Sequence, residues 1–169
     1  MVRILFVCTG NTCRSPMAAA LLQDRLKSWG GAEDFTVSSA GIAAWTGQAA
    51  SAAAVEVMAR QGISLAEHTA QLIDNRQVYA SDLVLALTVS HKESLLCIAP
   101  GARNRIFTLG EYAGKPGDVT DPMGKSREVY QAGADQLTEL IEAARDKILQ
   151  LAGKNGVNGE NKPDIRRKG

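Results

Sequence analysis

The stretch ILFVCTGNTCRSPMAAALL, residues 4 to 22, limits what this chain can fold into more than any other. Ile4, Leu5, Phe6 and Val7 form a short apolar run suited to a buried strand. Ala18, Ala19, Leu21 and Leu22 recur with helical spacing, and Pro16 suits a first helical turn. Between them lies a loop of small and polar residues. Such a loop, joining a strand's C-terminal end to a helix's N-terminus, gathers backbone N–H groups, and the helix dipole adds partial positive charge there. The reading predicts an anion site.

The loop opens with Cys8 and closes with Arg14, and Gly10 and Asn11 can take positive φ. Cys8 sits among amides and beside a guanidinium, surroundings that favour a thiolate. A thiolate facing a bound phosphate is a nucleophile. The competing reading is a buried structural thiol at a strand end. Arg14 has the fork geometry to grip two phosphate oxygens, and a cation at a helix N-terminus is disfavoured unless an anion is bound.

Further along, Phe35 to Val37 begins a second strand that ends in Ser38-Ser39-Ala40-Gly41, and Ser51 to Gln61 reads as a helix stopped by Gly62. Asp74 is placed to cap a short helix through Tyr79. Asp82 to Leu87 is a nearly unbroken apolar run, as a central parallel strand requires. A helix from Ser90 to about Ile98, a strand from Arg105 to Leu109, a loop from Gly110 to Gly124 and one long helix from Ser126 to Leu151 complete the pattern. Strands alternating with helices predict an α/β fold with a parallel sheet covered on both faces. The domain is expected over residues 1–152, and the glycine-rich polar segment 153–169 as a disordered tail.

Net charge of +1 gives no reason to expect nucleic acid or a membrane as partner. No signal peptide is apparent, and Cys8, Cys13 and Cys97 make an odd count, so a reducing, cytoplasmic setting is expected. Cys97 reads as a core residue. The C-x4-C pair supplies only two ligands, so no metal is expected.

The C-x5-R-S spacing of Cys8, Arg14 and Ser15 in this context resembles the low-molecular-weight protein tyrosine phosphatase family, over residues 2 to about 151. Asp121-Pro122, ahead of the last helix, stands where that family has its acid. The sequence leaves the oligomeric state open, with a monomer as the expectation; the resemblance implies four strands in the order 2-1-3-4 and a phosphatase acting on phosphorylated proteins without a cofactor. It also implies that Cys8 forms a phosphocysteine intermediate, that Arg14 holds the phosphoryl group, and that Asp121 is general acid and then base. Asp118 competes for the acid's role. Thr9, Gly10, Asn11, Thr12 and Cys13 would complete the phosphate cradle. Asn11 matches the family's loop asparagine, held by Ser39 and His68. Ser15 is either a hydrogen-bond donor to the Cys8 thiolate or an N-cap before Pro16. Cys13 is either a redox partner that traps oxidised Cys8 as a disulfide or a small core residue.

Thr12 stands where tyrosine-specific members carry a bulky aliphatic residue, and Met123-Gly124 stands where they carry one or two tyrosines. CTGNTCRSPMA and the DP-x-G pattern look like the bacterial protein arginine phosphatase branch. Gln71 and Thr88 also replace an Arg and Asp that pair in tyrosine-specific members. The expected substrate is phosphoarginine on proteins, with phosphotyrosine as the alternative and Trp45 as a partial aromatic wall. Arsenate reduction would need two further cysteines, and only Cys97 lies downstream. A phosphate-binding module without catalysis would not need Asp121.

Overall fold

A computed structural model describes residues 1–157, with side chains through residue 153. Four strands, β1 (Val2–Cys8), β2 (Phe35–Gly41), β3 (Leu83–Ala86) and β4 (Ile106–Thr108), form one parallel sheet in the order β2-β1-β3-β4. This is the expected topology. Seven helices of the described residues follow the chain as α1 (Arg14–Trp29), α2 (Ala52–Ala59), α3 (Asn75–Ala80), α4 (Val89–Ile98), α5 (Leu109–Tyr112), α6 (Arg127–Ala143) and α7 (Arg145–Val157).

From Ile4 to Cys8, β1 is buried on both faces, which is why that stretch is continuously apolar rather than alternating. Ile4, Phe6 and Cys8 belong to the core shared with Met17 and Leu22 of α1 and Leu137 and Ile141 of α6. Leu5 and Val7 point the other way, into a second core with Val78, Leu95 and Ile106. The chain leaves β1 toward β2 on one side and reaches β3 on the other. The crevice at the C-terminal ends of β1 and β3 is therefore a topological switch point, where open α/β sheets bind ligands.

The capping signals act as read. Ser51 accepts from the Ala54 amide at 3.3 Å, and Asp74 forms a capping box with Gln77. The C-terminal half departs from expectation. The single helix expected from Ser126 to Leu151 is two, interrupted at Ala144. The buried stripe of Leu140, Ile141, Ala144 and Ile148 continues across the break, so periodicity could not reveal it. Beyond the break, the Arg145 guanidinium lies over the Trp29 ring, 5.6 Å from its centroid.

The loop expected from Gly110 contains most of α5, because Thr108 ends β4 and at once caps the next turn through the Glu111 amide at 3.0 Å. Cys97 is exposed on α4 rather than in the core, two residues from each of Leu95 and Ala99 and so on the face opposite the one they bury. α7 runs to Val157, so the expected tail boundary at 153 falls inside a helix. Residues 158–169 lie outside the described residues. No described helix is long and apolar enough to cross a membrane.

Candidate active site

Cys8 is the last residue of β1, paired in register with Gly41 of β2, and the chain then curls tightly into α1. A Cβ on Gly41 would lie 2.5 Å from the Thr9 carbonyl oxygen and 3.0 Å from the Asn11 amide nitrogen. Only glycine lets the end of β2 approach the loop this closely. The backbone confirms the closeness, with Ile42 and Ala43 amides donating to the Cys8 and Thr9 carbonyls, each at 2.9 Å.

Asn11 organises the curl. It is fully buried and has φ 55°, the one non-glycine residue with positive φ among those described. Its Nδ2 donates to Ser15 Oγ at 2.8 Å and to Ser39 Oγ at 2.9 Å, while its Oδ1 accepts from the Gln71 amide at 2.9 Å. His68 Nε2 donates to the Asn11 carbonyl at 2.7 Å. The structure thus brings Asn11, Ser39 and His68 together, and the same network includes Gln71, which holds the loop by its backbone. The Gln71 side chain faces Gln77 instead, and Thr88 caps α4 through the His91 amide.

Ser15 lies inside the first turn of α1, whose N-cap is Cys13, so the N-cap reading of Ser15 does not hold. Its Oγ lies 2.9 Å from Cys8 Sγ and 3.4 Å from the Ala40 carbonyl. It already accepts from Asn11, and its single hydrogen favours the shorter contact, toward sulfur. Cys13 Sγ lies 3.3 Å from both Ser51 Oγ and Tyr130 Oη. Burial and the Cys13 contact push the Tyr130 phenol above its ordinary value.

Arg14 is 7% exposed, and its Nη1 donates to the Val119 carbonyl at 3.1 Å. Val119 is itself tied to the residue that follows β3, its amide donating to the Leu87 carbonyl at 2.9 Å. The loop after α5 is thereby drawn over the site, and Asp121 Oδ2 comes within 3.5 Å of Arg14 Nη2. Asp118 takes a different place. Its Oδ1 accepts from the Val89 amide at 2.9 Å, at the start of α4. Asp121, half exposed, is the carboxylate that reaches the pocket.

That pocket, of about 250 Å³, is lined by Cys8, Thr9, Gly10, Thr12, Cys13, Arg14 and Asp121, with Trp45 and Met123 at its edge. Trp45 is 81% exposed. A larger cavity, about 390 Å³, lies behind the loop beside Ser39 and His68 and touches none of Cys8, Arg14 and Asp121. Size does not mark the candidate site here; the convergence of a thiol, a guanidinium and a carboxylate does.

His91 was not singled out by the sequence reading. On the first turn of α4 and 7% exposed, it places Nε2 2.8 Å from Thr9 Oγ1. Burial and the Arg14 charge lower its pKa from 6.5 to about 4, against opposing pulls from Asp118 and Asp121. The ring is neutral at pH 7. One signal was available: His91, Leu95 and Ala99 recur every four residues, which places the histidine on the buried face of α4.

A parallel α/β sheet whose first strand runs through a tight curl from Cys8 to Arg14 at a helix N-terminus is the architecture of a phosphate-handling protein. Residues 3–156 match the family described as low molecular weight phosphotyrosine protein phosphatase, and the chain belongs to that family. It is a phosphatase. It is 44% identical over 147 residues to a protein-arginine-phosphatase of Geobacillus stearothermophilus, covering 86% of this chain and 95% of the relative. Its structure is similar to that of a YwlE arginine phosphatase from the same organism, with a TM-score of 0.80, 38% identity, and 96% and 100% of the two chains covered. It is also similar to a low molecular weight protein tyrosine phosphatase from T. tengcongensis, with a TM-score of 0.83, 42% identity, and 87% and 99% covered.

Proposed function

We propose that this phosphatase removes phosphate from phosphoarginine on proteins through a phosphocysteine intermediate. One observation carries the mechanism: Cys8, Arg14 and Asp121 line a single pocket, with Ser15 Oγ 2.9 Å from the sulfur. The Cys8 thiolate attacks phosphorus, the bond from phosphorus to the leaving nitrogen breaks, and Asp121 delivers a proton to that nitrogen. Arg14 and the amides of the curl hold the equatorial oxygens. A water then loses its proton to Asp121 and attacks phosphocysteine, and the thiolate leaves with Ser15 donating to it. Asn11, Ser39 and His68 keep the curl in shape.

The substrate reading rests on Thr12, 5% exposed at the pocket, and on the likeness to arginine phosphatases. Its hydroxyl suits a polar phosphoguanidinium better than a flat ring. Phosphotyrosine is the second reading, favoured by the exposed Trp45 at the pocket edge and by the likeness to a tyrosine phosphatase. Free Cys8, Cys13 and Cys97 fit a reducing compartment, so the proposed substrates are cytoplasmic proteins.

Mass spectrometry after a rapid neutral denaturing quench, with enzyme turning over an aryl phosphate, tests the mechanism. A phosphoryl adduct on the peptide that carries Cys8 is expected. Steady turnover with no adduct on that peptide at any quench time would contradict it.

A further inference from the structure

We infer that Thr9, fixed by His91, is a specificity-determining contact that accepts a hydrogen bond from a guanidino N–H of the substrate. The inference rests on the phosphoarginine reading above and extends it to residues which that reading does not use. Thr9 follows the nucleophile directly, lines the pocket and is exposed, so its hydroxyl stands where a leaving group would lie. Unrestrained, it would rotate among three staggered wells. His91 removes that freedom, with Nε2 2.8 Å from Oγ1.

The bond leaves the hydroxyl able to serve substrate. A threonine hydroxyl has one hydrogen and two lone pairs. If Nε2 donates, one lone pair is used; if Nε2 accepts, the hydrogen is used. In either tautomer a lone pair of Oγ1 remains for an incoming N–H. A guanidino leaving group carries such N–H donors, and the ester oxygen and ring of an aryl phosphate carry none.

The histidine is built in at a cost that a mere filler would not require. Its Nδ1 is buried and has no hydrogen-bond partner in the protein, the one such side-chain atom among the described residues. Arg14 bears on the ring from α1, with Asp118 and Asp121 opposing from the loop after α5. The ring stands behind Thr9 as a neutral group, so a cationic guanidinium at the hydroxyl meets no second positive charge from it.

The test is kcat/KM for phosphoarginine and for 4-nitrophenyl phosphate on the wild type, Thr9→Val, His91→Ala, His91→Gln and the Thr9→Val/His91→Ala double variant. Thr9→Val and His91→Ala are each expected to lower kcat/KM for phosphoarginine about tenfold more than for the aryl phosphate, the scale of one lost hydrogen bond. The double variant should lose no more than either single one, because both break the same contact. His91→Gln, whose amide can still reach the hydroxyl, should recover most of the phosphoarginine rate. Equal losses on both substrates, or effects of the two residues that multiply, would overturn the inference and leave His91 a packing residue. If the wild type cleaves the aryl phosphate but not phosphoarginine, the substrate reading itself fails, and this inference with it.

Discussion

His68 Nε2 and the carbonyl oxygen of Asn11 are 2.7 Å apart, a contact between residues 57 positions apart that closes the back of the phosphate loop. With Ser15, Ser39 and Gln71 it uses every polar atom of the Asn11 side chain and its carbonyl. Asn11→Ala removes three side-chain hydrogen bonds and places alanine at φ 55°, so a stability loss of about 3–4 kcal/mol is expected. Urea denaturation measures it. A loss below about 1 kcal/mol would mean that the curl holds itself.

Gly41→Ala tests the closeness of β2 to the loop. Its Cβ would meet the backbone oxygen of Thr9 at 2.5 Å, where no flexible side chain can give way. The loop must shift, and misplaced amides cost catalysis: kcat should fall at least about tenfold, with a smaller change at the analogous Gly133→Ala, where nothing lies within 4 Å. Equal kcat in both variants would contradict the argument.

The roles of Cys8 and Asp121 separate in binding and turnover. Cys8→Ser should abolish turnover yet leave phosphate affinity largely intact, since the amides and Arg14 remain. Asp121→Ala should slow turnover by about 10²- to 10⁴-fold. Calorimetric titration with phosphate and steady-state assays measure both; near-wild-type turnover in either variant would sink the assignment.

His91 makes stability depend on pH. Its pKa of about 4 in the folded protein lies below the ordinary 6.5, so the unfolded chain binds the extra proton first as pH falls. Stability should therefore be lost between pH 6.5 and about 4 and level off below, with Arg14, Asp118 and Asp121 as the charges facing the ring. Across that window the wild type should lose up to about 3 kcal/mol more than His91→Gln. Parallel urea midpoints for the two proteins would show that the ring titrates in the fold as it does in the unfolded chain, and would contradict the argument.

The parts of this site that were legible in the sequence are the local ones. Cys8, Arg14 and Ser15 lie within one strand, loop and helix, and their chemistry follows from that order. Ser39 and His68 were placed only through the family resemblance, because no spacing connects them to Asn11. His91 escaped because its partner is 82 positions away and a lone His-Lys pair reads as a solvated helix start. Asp121 is preferred to Asp118 in the sequence only through the family resemblance, since both lie in one glycine-rich loop; the fold gives Asp118 an amide of α4 and Asp121 the pocket. The break at Ala144 was invisible for the opposite reason, since the apolar period runs straight through it.

The substrate is the central claim, and kcat/KM for a phosphoarginine protein against a phosphotyrosine peptide tests it most directly, on the wild type and Thr12→Ile with Cys8→Ser as the blank. The account predicts that the wild type prefers phosphoarginine and that Thr12→Ile moves the ratio toward phosphotyrosine. A wild type that prefers phosphotyrosine would contradict it, leaving a phosphocysteine phosphatase whose pocket selects the aromatic ring.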